Sequence, residues 1–339
     1  MAAGGGAEPG APLQQGAAID AAAGRGGPAS VEQLAQLLAA ARVQLHRKDY
    51  VGAIDLAQRY VKMLGPEADV RPVLIDAYFH SGDHANAARE LQKEVQTAER
   101  SGQTPGEDRL LLLRKCYGQL NDANATAWLL EKLVSYHPKK DYWADLLERM
   151  QKRPDFGERL ALDVQRLRLL TGTLANASAY IDMANLALGE GFPAEASRTV
   201  ERGFAVGVLG SGPDAGRHRL LRQQLAQFAL VQRQELGQAG SEAAAARARD
   251  GNGLVNLGFA HVTQGDFDKG LALMEQGLRK GGLGDRPQDA RLHLGIAYLM
   301  AGQVAKASAA FSQVSGRHGA ADLARIWNIY AQHVRKNGS

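Results

Sequence analysis

Few side chains in this sequence stand at spacings that chemistry uses. His80 and His84 are four residues apart, a metal-ligand spacing when both share a helix face. Ser81-Gly82-Asp83 lies between them and reads as a turn, so the shared face is lost and both are expected as surface histidines. The single cysteine, Cys116, sits beside Tyr117 with no histidine near it in sequence. It reads as a small buried hydrophobe, and one cysteine allows neither an internal disulfide nor a cysteine-only zinc site. Gly210-Ser211-Gly212-Pro213-Asp214-Ala215-Gly216 is glycine-rich, yet no strand precedes it. Neither a dinucleotide loop nor a nucleophile elbow at Ser211 therefore has its setting, and the segment reads as a helix connection. Arg217-His218-Arg219 with Arg222 is the one local basic cluster. Phosphate contact there is conceivable, but no aromatics interleave it and Phe228 reads as core, so a solvated helix face is the expected role. The scattered Asp and Glu residues offer no pair whose spacing nominates acid–base work. No catalytic residue, metal or cofactor is expected.

The elements that would position any site come next. At 339 residues the chain exceeds what one core usually supports, roughly 250–300, so it is two domains or a stack that lengthens without thickening. It is 45% hydrophobic and 22% charged, with a net charge of +4, well short of the charge density of a dedicated nucleic-acid binder. No run approaches the roughly 20 apolar residues of a membrane span. Residues 1–30 are mostly Ala, Gly, Pro and Gln, with Leu13 and Ile19 as the only large aliphatics, and read as a disordered tail. That stretch has neither the basic start nor the apolar run of a signal peptide, so the sequence as given reads as cytoplasmic.

Internal repeats organise the rest. Leu257-Gly258 leads to His261, Gly265-Asp266-Phe267, Gly270, Met274 and Gly277; Leu294-Gly295 leads in the same frame to Tyr298, Gly302, Ala307, Phe311 and Val314. The same frame recurs upstream in weaker form. Asp49-Tyr50, Ala53 and Ala57 mark a first unit over 34–67, and Leu74, Tyr78, Gly82-Asp83, Ala87 and Leu91 a second over 68–101. Leu113, Tyr117, Asn121-Asp122, Leu130 and Pro138 mark a third; Trp143, Leu146, Met150 and Asp155-Phe156 a fourth; Met183, Ala187, Gly191-Phe192, Ala196, Val200 and Gly203 a fifth. This frame resembles the tetratricopeptide repeat, a helix-turn-helix unit of about 34 residues. The resemblance implies an all-α, right-handed superhelical solenoid of about seven helix pairs, stabilised by stacking. Small residues at Gly258, Gly295, Ala196 and Ala307 fall where paired helices approach closely, and Gly82, Gly191, Gly265 and Gly302 fall at turns that favour φ > 0. The organisation expected is a tail over 1–30, about five repeats over 31–213, an irregular helical hairpin over 214–250, two well-matched repeats over 251–319 and a capping helix over 320–336, with Leu323, Ile326, Trp327 and Tyr330 on one face. If upstream repeats are missing, the apolar face of Leu34, Leu37, Leu38 and Leu45 lacks a cap and would favour self-association.

Some stretches go beyond the general repeat: His137-Pro138-Lys139-Lys140-Asp141-Tyr142-Trp143-Ala144-Asp145-Leu146-Leu147, Arg159-Leu160-Ala161-Leu162-Asp163-Val164, Gly191-Phe192-Pro193-Ala194-Glu195-Ala196 and Asp266-Phe267-Asp268-Lys269-Gly270. Together they resemble a group of tetratricopeptide proteins of Gram-negative bacteria over about residues 40–335. Its members are generally exported, so the resemblance implies the periplasm where the residues imply the cytoplasm, and it brings no reaction with it.

In such solenoids the first helix of each pair lines a groove and its ninth position points inward. Here that position gives Arg42, Asp76, Lys115, Glu148, Asn185, Phe259 and Ile296, with Asn256 beside them. Alternating signs along the first four suit an extended peptide, or pair with one another to hold the stack. A carboxylate clamp is not expected, because Ile181 and Asn252 stand where its lysines belong relative to Asn185 and Asn256. The function expected is a non-catalytic scaffold binding a protein or peptide in the groove, in the assembly of a bacterial envelope complex. The rivals are an enzyme accessory role, with a deep pocket on the Arg217–Asp250 insertion, and a nucleic-acid contact through Arg217 to Arg222; Asp76 and Glu148 argue against a basic RNA groove.

Overall fold

A computed structural model describes residues 30–63, 65–284, 287–316 and 318–337. The segment read as a disordered tail lies outside the described residues except for Ser30. Ser30 begins the first helix in a reciprocal cap: its hydroxyl accepts the Gln33 N–H at 3.1 Å, and the Gln33 side chain accepts the Ser30 N–H at 2.9 Å. Among the described residues there are 17 α-helices, one 3-10 turn and no strand.

The chain divides into two compact units, residues 1–136 and 137–339. Unit 1 holds three helix pairs: α1 (Val31–His46) with α2 (Tyr50–Lys62), α3 (Glu67–Ser81) with α4 (His84–Arg100), and α5 (Glu107–Gln119) with α6 (Ala123–Tyr136). Unit 2 begins with α7 (Lys140–Gln151), a 3-10 turn (Glu158–Leu160) and α8 (Ala161–Leu170). It continues through α9 (Ala177–Gly189), α10 (Pro193–Ala205), α11 (Ala215–Leu236) and α12 (Ala239–Arg247). The pairs α13 (Asn252–Thr263) with α14 (Phe267–Lys280) and α15 (Pro287–Met300) with α16 (Val304–Ser312) follow, and α17 (Ala320–Asn337) ends it.

One turn chemistry is reused between paired helices. Gly82, Gly191, Gly265 and Gly302 all adopt positive φ, between 73° and 87°. In the first and third pairs the same slot is held by Lys48 (φ 62°) and Asn121 (φ 53°), a conformation that costs an L side chain about 1–2 kcal/mol. The next residue then caps the second helix: Asp49, Asp83 and Asp122 accept the N–H groups of Gly52, Asn86 and Ala125 at 3.0, 3.1 and 2.9 Å. Asp266 stands in the same slot but gives its carboxylate to His261 Nδ1 at 3.1 Å instead.

Close approach between paired helices is steepest at α13 and α14. A Cβ on Gly258 would lie 2.6 Å from the Gly270 carbonyl oxygen and 2.8 Å from the Met274 nitrogen, and one on Gly277 would lie 2.7 Å from the Gly251 oxygen. The two backbones therefore touch, and side chains at these positions would pry them apart. Gly295 faces the Phe311 ring, while Ala196 and Ala307 are buried.

Unit 2 closes on itself. Arg153 reaches Asp322 at 2.6 Å, Arg159 reaches Asp289 at 2.6 and 3.2 Å, and the Gly157 N–H donates to the His318 carbonyl at 3.3 Å. Trp143 of α7 meets Tyr330 of α17 edge to face at 6.3 Å. The last helix, expected only to cap α16, thus also packs against the start of its own unit, with Leu323, Ile326 and Trp327 buried. At the other end of the chain, Leu37 is buried and Leu34, Leu38 and Leu45 are half-buried, so the face expected to be uncapped is largely covered within unit 1. Residues 214–250 carry α11 and α12, and Phe228 is exposed and not in the core, because α11 buries only His218 and Leu225.

Candidate functional site

Helix α8 contributes two charged residues to the interior of unit 2. Arg166 is 4% exposed and bidentate to Glu195 of α10, with Nε donating to Oε1 at 2.7 Å and Nη2 to Oε2 at 2.6 Å. Its Nη1 donates to Asp163 Oδ1 at 2.5 Å, and Asp163 Oδ2 meets His293 Nε2 of α15 at 3.0 Å. Phe192 and Phe259, themselves packed edge to face, both lie within cation–π reach of the guanidinium, with ring centroids at 5.5 and 4.7 Å. Burial works against both charges of the Asp163–His293 pair. The His293 and Arg166 charges nevertheless hold the Asp163 carboxyl below its usual range, and Asp163 raises the His293 imidazole above its own. Every carboxylate oxygen of Asp163 and Glu195 has a hydrogen-bond partner, so the cluster ties α8 to α10 and α15.

Beside it lies a half-open cavity of ≈ 350 Å³ bordered by α8, α9, α10, α15 and α17. Leu170, Leu299, Met300, Tyr330 and Val334 present the surface that faces it, and Met183, Ile296 and Trp327, almost fully buried, stand behind them. Arg166, Glu195, Arg198 and Thr199 make one polar side. The expected rival site on the 217–250 insertion does not supply this cavity, whose lining comes from other helices. The Trp327 Nε1 group is buried without a hydrogen-bond partner among the described residues.

The nominated groove residues part company. Arg42 and Lys115 are exposed and Asp76 is half-buried, at equivalent positions of α1, α3 and α5. None of the three forms an ion pair with a described residue of unit 1, so the expectation that neighbours neutralise one another does not hold there. Glu148 is exposed and pairs with Lys152 of its own helix at 2.5 Å. Asn185 lines an open depression with Asp182 and Glu190, and Asn256 is exposed. Phe259 corrects the groove reading: it is 1% exposed, against Phe192 at 5.1 Å and under Arg166. Ile296 is buried likewise. Their positions do point inward, but α8 and α10 fill that side, so inward is core.

The other candidates are placed as follows. His80 stacks on Tyr50 at 5.5 Å, and His84 meets Phe79 edge to face across the intervening turn. Among the described residues no group of three or more His, Cys, Asp or Glu side chains stands as metal ligands do. Cys116 is fully buried, which pushes its thiol up to about 11. In the basic cluster Arg222 is held by Glu201 at 2.6 and 2.7 Å, and His218 is buried with its Nδ1 accepting the Gly210 N–H at 3.2 Å. Arg217 pairs with Asp214 at 3.5 Å, which weakens the case for a phosphate patch.

Sequence reasoning passed over Asp163, Arg166, Glu195, Arg198 and His293. Asp163 with Arg166 and Glu195 with Arg198 stand three apart on their own helices, but no spacing joins one pair to the other or to His293, 130 positions from Asp163. The available signal was that Asp163 and Glu195 lie in two of the stretches quoted above for the bacterial resemblance.

Comparison with known proteins bears on the C-terminal helices. A tetratricopeptide repeat model matches residues 255–338, which span most of α13 and all of α14 to α17. Among solved structures, the chain is similar to the TPR2AB-domain:pHSP90-complex of yeast Sti1, with 13% identity, 91% of this chain and 96% of that chain covered, and a TM-score of 0.28. No curated protein sequence matches the chain.

Proposed function

We propose that this chain is a non-catalytic adaptor that binds a protein or peptide partner on the first-helix face of unit 1, through Arg42, Asp76 and Lys115. The observation that carries the reading is the contrast between the units. The equivalent positions in α13 and α15 are buried as Phe259 and Ile296, while Arg42 and Lys115 stand exposed without a carboxylate partner in their unit. An unpaired positive-negative-positive row on successive helices suits an extended segment of complementary charge, which gives specificity more than raw affinity. The non-catalytic part of the reading is supported by the buried carboxylates, which are taken up in ion pairs that join helices. On the bacterial resemblance, the setting is the assembly of an envelope complex.

Affinity capture from native extract with mass spectrometry tests this, comparing wild type with Arg42→Glu/Lys115→Glu. The expected result is a partner lost from the double variant, with the partner's own compartment giving the address. A partner retained undiminished by the variant, at unchanged helicity, refutes the unit 1 face as the binding surface.

A further inference from the structure

The cavity of unit 2 has a chemistry of its own, separate from the unit 1 face. Its volume of ≈ 350 Å³ is a little over twice the ~150 Å³ that holds a benzene-sized guest, which leaves room for roughly a dozen carbon atoms. The accessible lining is aliphatic at Leu170, Leu299, Met300 and Val334 and aromatic at Tyr330, with no charge among these five. At the polar side the charges are unequal in status. Glu195 is neutralised by two hydrogen bonds from Arg166. Arg198 forms no ion pair among the described residues: one Nη1 hydrogen bond goes to the Thr263 carbonyl, and the side chain stays open to solvent. A guanidinium has five donors in a planar fork that matches a carboxylate. Glu195 standing beside it favours a singly charged anion over a dianion such as a phosphate monoester.

We propose that this cavity is a binding site for an unbranched aliphatic carboxylate of about ten to twelve carbons, the chain lying against Leu170, Leu299, Met300, Tyr330 and Val334 and the carboxylate meeting Arg198. The volume sets the chain length, the lining sets its apolar character, and the unmatched guanidinium sets the headgroup.

Isothermal titration of the full chain with octanoate, decanoate, dodecanoate and decanol, each below its micelle threshold, tests the site. Saturable one-to-one binding is expected, tightening about fourfold per added methylene until the cavity is full. Decanoate should bind about ten- to a hundredfold tighter than decanol, as a charge-assisted hydrogen bond implies. Arg198→Gln should remove that preference and leave decanol binding unchanged. Leu299→Trp, or Met300→Trp nearer the solvent, should abolish binding of both while the far-ultraviolet dichroism stays helical. Arg42→Glu/Lys115→Glu should bind decanoate like the wild type, so failure of the adaptor reading and failure of this one are told apart. The site is overturned by an absence of saturable binding, by equal affinity for decanol and decanoate, or by cavity-filled variants that still bind.

Discussion

Gly258→Ala is the smallest perturbation that tests whether α13 and α14 touch backbone to backbone. The added Cβ would meet the Gly270 oxygen at 2.6 Å and the Met274 nitrogen at 2.8 Å. Ordinary contact needs about 3.4 Å or more, so the helices must part by about 0.8 Å, enough to forfeit a quarter to a half of each dispersion contact along the seam. Overpacking of this kind costs about 1–3 kcal/mol, and backbone atoms cannot swing aside, which puts this site in the upper half. Replacing glycine inside a helix returns about 1 kcal/mol. The net expectation is a loss of about 1–2 kcal/mol, which for a unit of this size lowers Tm by roughly 2–8 °C. Gly118→Ala in α5 is the internal control: its Cβ would meet nothing within 4 Å, so helix propensity acts alone and stability should hold or rise. Thermal and urea unfolding followed by circular dichroism decide the matter. Gly258→Ala as stable as wild type would refute the close approach, and with it the repeat frame that places Gly258 there.

Three further expectations follow from the buried groups. Arg166→Met strands the carboxylates of Asp163 and Glu195 and should cost about 3–5 kcal/mol in urea unfolding; a loss under 1 kcal/mol would mean that the cluster is not buried. His293, raised by Asp163 against its burial, supports the fold below about pH 6.5 and loses that support as pH rises through its folded value; Asp163, held low, gives support above about pH 4 and loses it on acidification. The urea midpoint should therefore peak between about pH 4 and 6.5, and His293→Asn should flatten the decline above that window, with an unaltered decline counting against the pair. Cys116, buried with its thiol at about 11, should react with a thiol reagent at pH 8 only as fast as the protein opens; labelling at the rate of a free thiol would show the site exposed.

Local features were readable from the sequence because they depend on neighbours a few residues away. Gly82, Gly265 and Gly302 announce a left-handed turn residue, the aspartates that follow several of these turns announce a cap, and apolar spacing announces the helices. Lys48 and Asn121, in the same slot without glycine, were legible only as members of the repeat. What escaped the sequence is long-range. A repeat frame tells which way Phe259 points but not what stands opposite, and α8 fills that space with Arg166. Charged residues in a helix read as surface by default, so Asp163, Arg166 and Glu195 gave no sign of burial. Phe228 erred in the opposite direction, since apolar spacing on α11 suggested a core that α12 does not provide.

The closure of unit 2 bears on how the protein is made. In an open array each repeat can fold as soon as it and one neighbour exist. Here Arg153 waits for Asp322, 169 residues later, and Arg159 waits 130 residues for Asp289. At roughly 5–20 residues per second of synthesis, the longer interval lasts roughly 8–34 seconds. Throughout it, α7 and α8 are complete but lack the surface that covers them: Trp143 has no Tyr330, and Phe156 has no Gly319 to pack against. Unit 2 therefore exposes an apolar flank to the ribosome's surroundings until its final helix emerges, then gains its stability at once. A nascent chain stalled before residue 320 should engage holding chaperones and be cut readily by protease, and one released after α17 should resist both.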